Sequence, residues 1–564
     1  MDIQNELQDR EAMKRCNYLV NQLYSERSKY EPVWKQLSDY IYPMRGRFNE
    51  EEGSREGSRR DRCLVDPFPM DAVNKCSAGL HGGLTSPSKP WFELALQDKE
   101  KSDFHTIRLW LDQVHDIMMG IYANSNTYNM LYQLYAELPQ FGTAAAMMYQ
   151  DYDYAIWHRS FTCGEYAGGV DSKGRVNMFA RKLTLNARQM IEEFGKDKVS
   201  TSVMNAYTRG DVTTRFRVNM LIERNADYDP DVLRLGNFPW KSWYWEEGEA
   251  DRFLRISGYH EQPFLMPRWT VVANEVYGVG PGHNALGNCM QLQKLEKNKL
   301  HASDSEADPA MMFPASVKKV DTRPGAKNYI PDGTQMQAYP LVPPGAKRYE
   351  GLMQLVAEKR NQISASFFND LMIMLTMQDN PQMTAREVAA REEEKLLMLS
   401  PVLEQFHNEV LDPLTKRTFG ICLRNGLLPP MPEEIKAEEL KVNFISLLAQ
   451  AQRMVEMPSI EKVMGFAGSM AAINPEIIDN INFDQALRRS AEVYGAPEII
   501  LRSEDETAEL RRERQAQMQA QAEAEQMAQM ATPAKDMAQA AKVMAETPTQ
   551  GGNVLDDLLG GGIV

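Results

Sequence analysis

At 564 residues the chain exceeds one ordinary domain and can bury a large core. Hydrophobic residues at 43% and charged residues at 25% fall in the soluble globular range, and no apolar run reaches the ~18–20 residues of a membrane span. A formal net charge of −15 excludes a protein that grips nucleic acid through a broad basic footprint, so any DNA it meets should be held weakly or left free to slide.

The opening, MDIQNELQDREAMKR, is polar and lacks the apolar core of a signal peptide, which leads us to expect a chain made and assembled in a cytoplasm. Residues 1–42 read as helix. Cys16, Leu19, Val20 and Leu23 share one face, and Trp34, Leu37 and Ile41 repeat the pattern until Pro43 stops it. Residues 49–62, NEEEGSREGSRRDR, read as a charged, solvated loop. Helical signals return at 70–83, 104–123 and 127–149. In the stretch GGLTSPSKPWFEL, Pro87 and Pro90 bar a helix while Trp91 and Phe92 anchor the segment to a core.

From 154 to 185 the pattern turns β-like, with Gly168, Gly169 and Asp171–Gly174 expected to supply the turns. NARQMIEEFG predicts a short helix between an Asn186 N-cap and a Gly195 C-cap. Phe216, Val218, Met220 and Ile222 alternate as in a strand. Trp240, Trp243, Trp245, Phe253 and Ile256 continue an aromatic, β-rich region, so the first half is a mixed α/β body.

The second half is helical. Gly278-Val-Gly280-Pro-Gly282 launches a helix over 284–301, ending near His301. A Pro-rich excursion follows, then a helix over 349–369 with Leu352, Val356, Ile363 and Phe367 on one face. The Met-rich run NDLMIMLTMQDNPQMT precedes a long helix from Thr384, which Pro401 and Pro413 should kink. Residues 433–502 read as short helices split by Pro458, Pro475 and Pro497. Over 503–546, 24 of 44 residues are Ala, Gln or Met, so helix propensity is strong but no apolar face exists. Such a helix needs copies of itself to pack against, and Pro533 is expected to break it. Residues 547–564 read as a flexible tail with one apolar plug, Val554–Leu559.

No motif carries enzyme chemistry. The Gly278–Gly282 spacing is wrong for G-x-G-x-x-G, and Pro281 lacks the N–H a phosphate would need. The eight histidines form no H-E-x-x-H array, and Glu392, Glu393 and Glu394 point around a helix instead of converging. Cys16, Cys63, Cys76, Cys163, Cys289 and Cys422 include no C-x-x-C pair, so buried reduced thiols are expected and a zinc or redox site is not. We therefore expect no enzyme and no cofactor. Met372, Met374, Met377 and Met383 read either as core gap-fillers or as the apolar stem of a loop tipped by Gln378, Asp379, Asn380, Pro381 and Gln382, fit for a constriction. Lys294, Lys297 and Lys299 share one helix and Lys359 and Arg360 the next, where they could dot a channel wall.

The chain resembles the portal, or head-to-tail connector, proteins of short-tailed, podovirus-type bacteriophages. The resemblance rests on GLHGGLTSPSKPWFEL, LPQFGTAAAMMYQD, FTCGEYAGGVDSKGRVNMFARKLTLNARQMIEEFG, RWTVVANEVYGVGPGHNAL and NPQMTAREVAAREEEKL, in that order over about residues 10–425. It departs at Gly280, where the family usually has Ser, and at Lys89, where it usually has Arg. The resemblance implies a mixed α/β, predominantly α portal fold: a wing over 1–267, a first stem segment over 268–303, a clip over 304–348 and a second stem helix over 349–369. A tunnel loop over 370–383, a long kinked wing helix over 384–432, a crown over 433–502 and a C-terminal barrel helix over 503–546 follow.

It also implies a homo-oligomeric ring of about twelve subunits at one capsid vertex of a virion, built in host cytoplasm. Double-stranded DNA would pass through the channel. The terminase large subunit would dock first, tail adaptor proteins later, and the major capsid protein and scaffold would surround the ring; no membrane is implied. In that picture Met372, Met374, Met377, Gln378, Asp379, Asn380 and Gln382 line the constriction. Another virion component, such as an internal ejection or scaffold protein, is the competing reading, because it too would account for the Ala/Gln/Met-rich segment.

Overall fold

The computed structural model describes residues 2–48, 63–87, 90–96, 105–232, 237–248, 252–307, 348–376, 401–432, 462–470, 482–494 and 504–546, with short pieces at 311–312, 321, 339–340, 440–444, 548–549 and 552–553. Residues 49–62 and the long helix start at 384–400 lie outside the described residues. The chain divides into two compact units, Met1–Lys462 and Val463–Val564.

The first unit opens with α1 (Asp2–Ser28) and α2 (Glu31–Tyr40), separated where Pro32 starts a fresh first turn. Helices α3 (Phe68–Leu84), α4 (His105–Asn124) and α5 (Thr127–Phe141) follow, with strand β1 (Phe92–Leu96) between α3 and α4. Helix α5 stops eight residues short of the expected 149. Gly142 takes a left-handed φ of 76° and caps it, and Ala145–Asp151 becomes strand β2. Two antiparallel sheets follow. One has the order β3-β2-β9, with β3 at Ala155–Phe161 and β9 at Phe264–Leu265. The other is a five-stranded meander: β4 (Tyr166–Val170), β5 (Val176–Asn186), β6 (Arg215–Arg224), β7 (Trp240–Glu246) and β8 (Arg255–Tyr259).

Gly168 and Gly169 lie inside β4 and are not the turn; only Asp171–Gly174 turns. A side chain at Gly168 would collide with Met266, and one at Gly169 would sit 2.9 Å from Leu23, so close packing explains both glycines. Met13, Cys16, Val20 and Leu23 of α1 cover that sheet through Ala167, Ala180, Leu221 and Trp245. Between β5 and β6 stand two short helices, α6 (Ala187–Phe194) and α7 (Thr201–Thr208). The capping box at α6 forms as expected: Asn186 Oδ1 accepts the Gln189 N–H at 2.9 Å and Gln189 Oε1 accepts the Asn186 N–H at 3.0 Å.

Helix α8 runs from Pro281 to Ala307, longer than expected at both ends, because Pro281 fits a first turn and no breaker intervenes before Pro309. Two short strands, β10 (Met311–Met312) and β11 (Tyr339–Pro340), pair antiparallel at the base of the excursion. Helix α9 (Arg348–Ser366) returns against α8. Phe368, at a left-handed φ of 56°, separates it from α10 (Asn369–Thr376). Residues 401–406 are helical, His407–Leu411 form a π turn, and α11 spans Asp412–Arg424. The disturbance expected at Pro413 is that π turn, placed just before a helix whose first turn holds the proline. Strand β12 (Leu440–Phe444), in a segment expected to be helical, pairs antiparallel with β1.

The second unit holds α12 (Phe483–Tyr494) and α13 (Glu504–Glu546). Arg511 pairs with Asp484 at 2.7 and 2.6 Å. Helix α13 continues through Pro533, where a break was expected; strong helix formers on both sides carry it past one missing backbone donor. Two short strands, β13 (Pro548–Thr549) and β14 (Gly552–Asn553), pair in the segment read as a flexible tail.

Two glycines of nearly equal φ separate backbone strain from crowding. At Gly142 (φ 76°) an added Cβ would strike the Gly278 carbonyl, whereas Gly174 (φ 77°) faces open space. Gly142→Ala is expected to cost about 2–4 kcal/mol and Gly174→Ala about 1 kcal/mol, read from urea midpoints.

Candidate functional site

The paired helices α8 and α9 are the part of the molecule to which sequence reasoning assigned a role, and they are fixed from beneath. The side-chain amide of Gln293, 2% exposed, acts as a backbone mimic. Its Oε1 accepts the N–H groups of Val65 (2.6 Å) and Asp66 (2.9 Å), and its Nε2 donates to the Asp66 carbonyl at 2.8 Å. The Asp66 carboxylate in turn accepts Arg360 Nε at 3.0 Å and Nη2 at 2.9 Å. Arg360 Nη2 also reaches Glu296 at 3.3 Å, and Lys299 pairs with the same glutamate. Lys359 donates to Asn288 Oδ1 at 3.3 Å and Gln362 Oε1 at 3.0 Å.

Three of the five basic candidates are therefore engaged within the helix pair, two of them across it. Arg360 and Lys299 neutralise buried carboxylates, and Lys359 bridges the helices. Lys294 and Lys297 stand apart. Both are exposed, and neither has an ion pair among the described residues. They accompany an exposed stripe at three- and four-residue steps, Asn284, Gly287, Gln291, Lys294, Asn298 and His301. Glu296 is turned inward, so over 281–303 this face of α8 shows lysine and no carboxylate, and the first exposed acid on it is Asp304, in the last turn. The exposed side of α9 shows the opposite sign, at Glu350 and Glu358.

Of the constriction candidates, Met372 is not on a loop. It lies in α10, 1% exposed, packed so tightly on α3 that a Cβ at Gly79 would collide with it. The run LMIMLT contains no breaker, and the chain reverses earlier, at Phe368, whose carbonyl accepts the Met372 N–H at 3.0 Å. Met374 lies in the same helix. Met377, Gln378, Asp379, Asn380 and Gln382 lie outside the described residues.

Sequence reasoning missed the junction that sets where α8 leaves the body. Arg268, 3% exposed, meets Glu409 of the π turn: its N–H donates at 2.8 Å, its Nε at 2.9 Å, and its Nη2 also reaches the carboxylate. Nη2 donates as well to the Gly174 carbonyl at 2.8 Å, and Gln405 Nε2 supports Glu409 at 2.6 Å. Burial pushes the Glu409 carboxyl upward, and Arg268 opposes that shift. The available signal was a charged residue beside the apolar stripe of Phe406, Val410 and Leu414. Five of the six cysteines are buried, and burial raises the thiols of Cys16, Cys76 and Cys289 to about 12. Among the described residues, no group of three or more His, Cys, Asp or Glu side chains is placed to hold a metal.

The family described as bacteriophage head to tail connecting protein matches residues 13–501. A probable portal protein of Bordetella phage BPP-1 is 38% identical over 95% of this chain and 96% of its own length. The portal protein of Salmonella phage epsilon15 is 35% identical over 94% of each chain. Among solved structures, a chain from the neck of an empty GTA particle covers 75% of this chain and 92% of its own at 11% identity; its TM-score of 0.34 carries no argument.

Removing one partner of the Arg268–Glu409 pair leaves the other charge buried. Arg268→Met is expected to cost about 3–5 kcal/mol at neutral pH, and the double variant Arg268→Met/Glu409→Leu less. In the single variant the orphaned Glu409 keeps its proton in the fold to a higher pH than in the unfolded chain. Its stability is then fullest below the ordinary carboxylate value of 4.5 and falls as pH rises through the folded-state value. Urea titrations across pH check both statements.

Proposed function

The chain belongs to the bacteriophage head-to-tail connecting protein family, and on that premise we propose that it works as the portal of a phage capsid. Copies assemble into a ring at one vertex of the virion, joined to capsid and tail, and the genome is packaged and ejected through the central hole. The chain is a structural part and not an enzyme; the energy for packaging comes from a terminase. The observation that carries this reading is the layout of α8 and α9: two packed helices joined by an excursion whose strands β10 and β11 pair antiparallel.

On this reading α8 and α9 are the stem, and the lobe between them is the clip that meets terminase during filling and tail adaptor proteins afterwards. The body up to 267 is the wing, in contact with the major capsid protein and scaffold. A ring of about twelve copies lines a hole wide enough for double-stranded DNA. The lysine face of α8 supports weak, repeated phosphate contacts on an otherwise acidic wall, so the duplex is centred and moves without sticking. The segment 377–383 is the part of the expected tunnel loop retained in this proposal. Residues 433–502 belong to the crown, and α13 suits a helical barrel, because its Met518, Met537 and Val543 are more than half exposed in a single chain.

Negative-stain electron microscopy of the purified chain should show end-on rings of about twelve subunits with a central hole. Monomers or open fibres would sink the reading. With rings in hand, Lys294→Glu/Lys297→Glu should leave the rings intact and lower packaged DNA per particle by about tenfold. Unchanged packaging would remove these lysines from the channel wall.

A further inference from the structure

We propose that the β2–β3 hairpin tip of one copy docks into a cavity at the far end of β3 on the next copy, so that each subunit carries a knob and a socket. The inference rests on the ring proposed above and names a contact within it.

The knob is Asp151–Tyr154. Tyr152 is 104% exposed, so its own chain covers none of it, and Tyr154 and Trp157 are about half exposed beside it. The tip is ordered before it meets a partner. Asp151 Oδ1 accepts the N–H groups of Asp153 and Tyr154, both at 2.9 Å, and Ala155 takes a left-handed φ of 64°. The strands stay in register to the last pair, Asp151 with Ala155. The Tyr154 and Trp157 rings lie 5.6 Å apart. A tyrosine carried on an ordered turn has only its two side-chain torsions to lose when it binds, which is why tyrosine anchors interfaces.

The socket is an open cavity of about 380 Å³, lined among others by Tyr42, Met44, Arg45, Arg47, Phe161 and Glu165. That volume accommodates a tyrosine side chain. Its floor is fixed: the Glu137 carboxylate accepts Arg45 Nη1 at 3.1 Å and Thr162 Oγ1 at 2.9 Å, and the Arg47 N–H donates to the Cys163 carbonyl at 2.8 Å. Arg47 spends its guanidinium on two backbone carbonyls, at 2.9 and 3.3 Å, and pairs with no carboxylate among the described residues. Arg45 Nε is buried without a hydrogen-bond partner. The knob offers two carboxylates and no cation; the socket rim offers a guanidinium that lacks an acid.

Position favours a second copy as the occupant. The knob sits at the start of β3 and the socket at its end, seven residues apart, or about 20 Å along the strand. A projection and its receptor at opposite ends of one rigid element cannot meet within a chain. Between copies they meet head to tail, the heterologous contact from which closed rings are built. Isologous pairing through the β3 edge is hindered, because Asn126 occupies it: its Nδ2 donates to the His158 carbonyl at 2.7 Å and its Oδ1 accepts the His158 N–H at 2.8 Å.

The test is a cysteine pair, Tyr152→Cys with Met44→Cys, oxidised in the assembled full-length protein and run on a non-reducing gel beside each single variant and the parent. Microscopy of the same samples scores rings. The expected result is rings in all samples and a ladder of dimers, trimers and higher rungs in the double variant alone. Rings without a ladder would overturn the docking and leave the portal reading standing. An absence of rings in the parent would overturn both. Tyr152→Ala, at a site too exposed to unfold the chain, should raise the concentration for half-assembly at least about tenfold. Assembly unchanged by that substitution also overturns the docking.

Discussion

The placement of the α8–α9 pair depends on one place where backbone lies against backbone. The end of α5 and the turn that starts α8 approach with no side chains between them. A Cβ at Gly278 would strike the Gly142 carbonyl, one at Gly280 would fall 2.8 Å from the Leu138 carbonyl, and one at Gly282 would strike the Gln140 carbonyl. Hydrogen bonds close the junction: Trp269 donates to Gly142 at 2.8 Å, Gly278 to Thr143 Oγ1 at 2.8 Å, and Val279 to Thr270 at 2.8 Å. Such a joint has no rotamers to relax. The angle at which α8 leaves the body is set by covalent geometry and hydrogen bonds, which suits a part that has to be identical in every copy of a ring.

The Arg268–Glu409 pair locks the same joint from the other side. It ties the residue just before Trp269 to the long helix, at the turn where that helix is wound as π. A π turn carries one extra residue and re-aims the side chains beyond it, which brings a glutamate to a face otherwise occupied by Phe406, Val410 and Leu414. An apolar pair could fill that space with no desolvation cost. What the ion pair adds is direction, since Arg268 satisfies the Gly174 carbonyl and Glu409 accepts both the backbone and the side chain of Arg268. Sheet, stem turn and long helix are thereby held in one register.

The local features were legible in the sequence, and the reasons differ element by element. Asn186, Gln189 and Gly195 delimit α6 because capping is written in adjacent residues. The strand expected around Phe216–Ile222 and the helix face of Val356, Ile363 and Phe367 came through for the same reason, although β6 is buried on both faces from Val218 to Glu223 instead of alternating. Long-range facts did not. Nothing near Phe92 announces that Leu440–Phe444 will pair with β1, and nothing near Gly168 announces Met266. The glycines of β4 were taken for turn residues because a turn and a tight interlayer contact leave the same letter behind. At the candidate site, the basic residues were found but not their division of labour. Which lysine is exposed depends on where Asp66 lies, and Asp66 reaches α8 and α9 from a segment more than 200 residues earlier in the chain. Met372 shows the same limit: its place in the core depends on Gly79.

The division of labour among the basic residues reconciles a net charge of −15 with the role beside DNA proposed above. At physiological ionic strength a surface charge is felt over a Debye length of about 8 Å, so on the proposed portal reading a duplex beside α8 would respond to that helix face and not to the whole subunit. That face was made basic by subtraction. Glu296 is drawn inward by Lys299 and Arg360, and Arg360 is itself held by Asp66, which leaves Lys294 and Lys297 without a neighbouring acid. On that proposal, two lysines per copy repeated around a ring would give many shallow wells in place of a few deep ones. A strong basic patch would hold the DNA where it first touched. A wholly acidic wall would centre it but offer no friction against loss. The pattern on α8 and α9 lies between these limits, and one of the ion pairs that create it, Arg360 with Glu296, also fastens the two helices together.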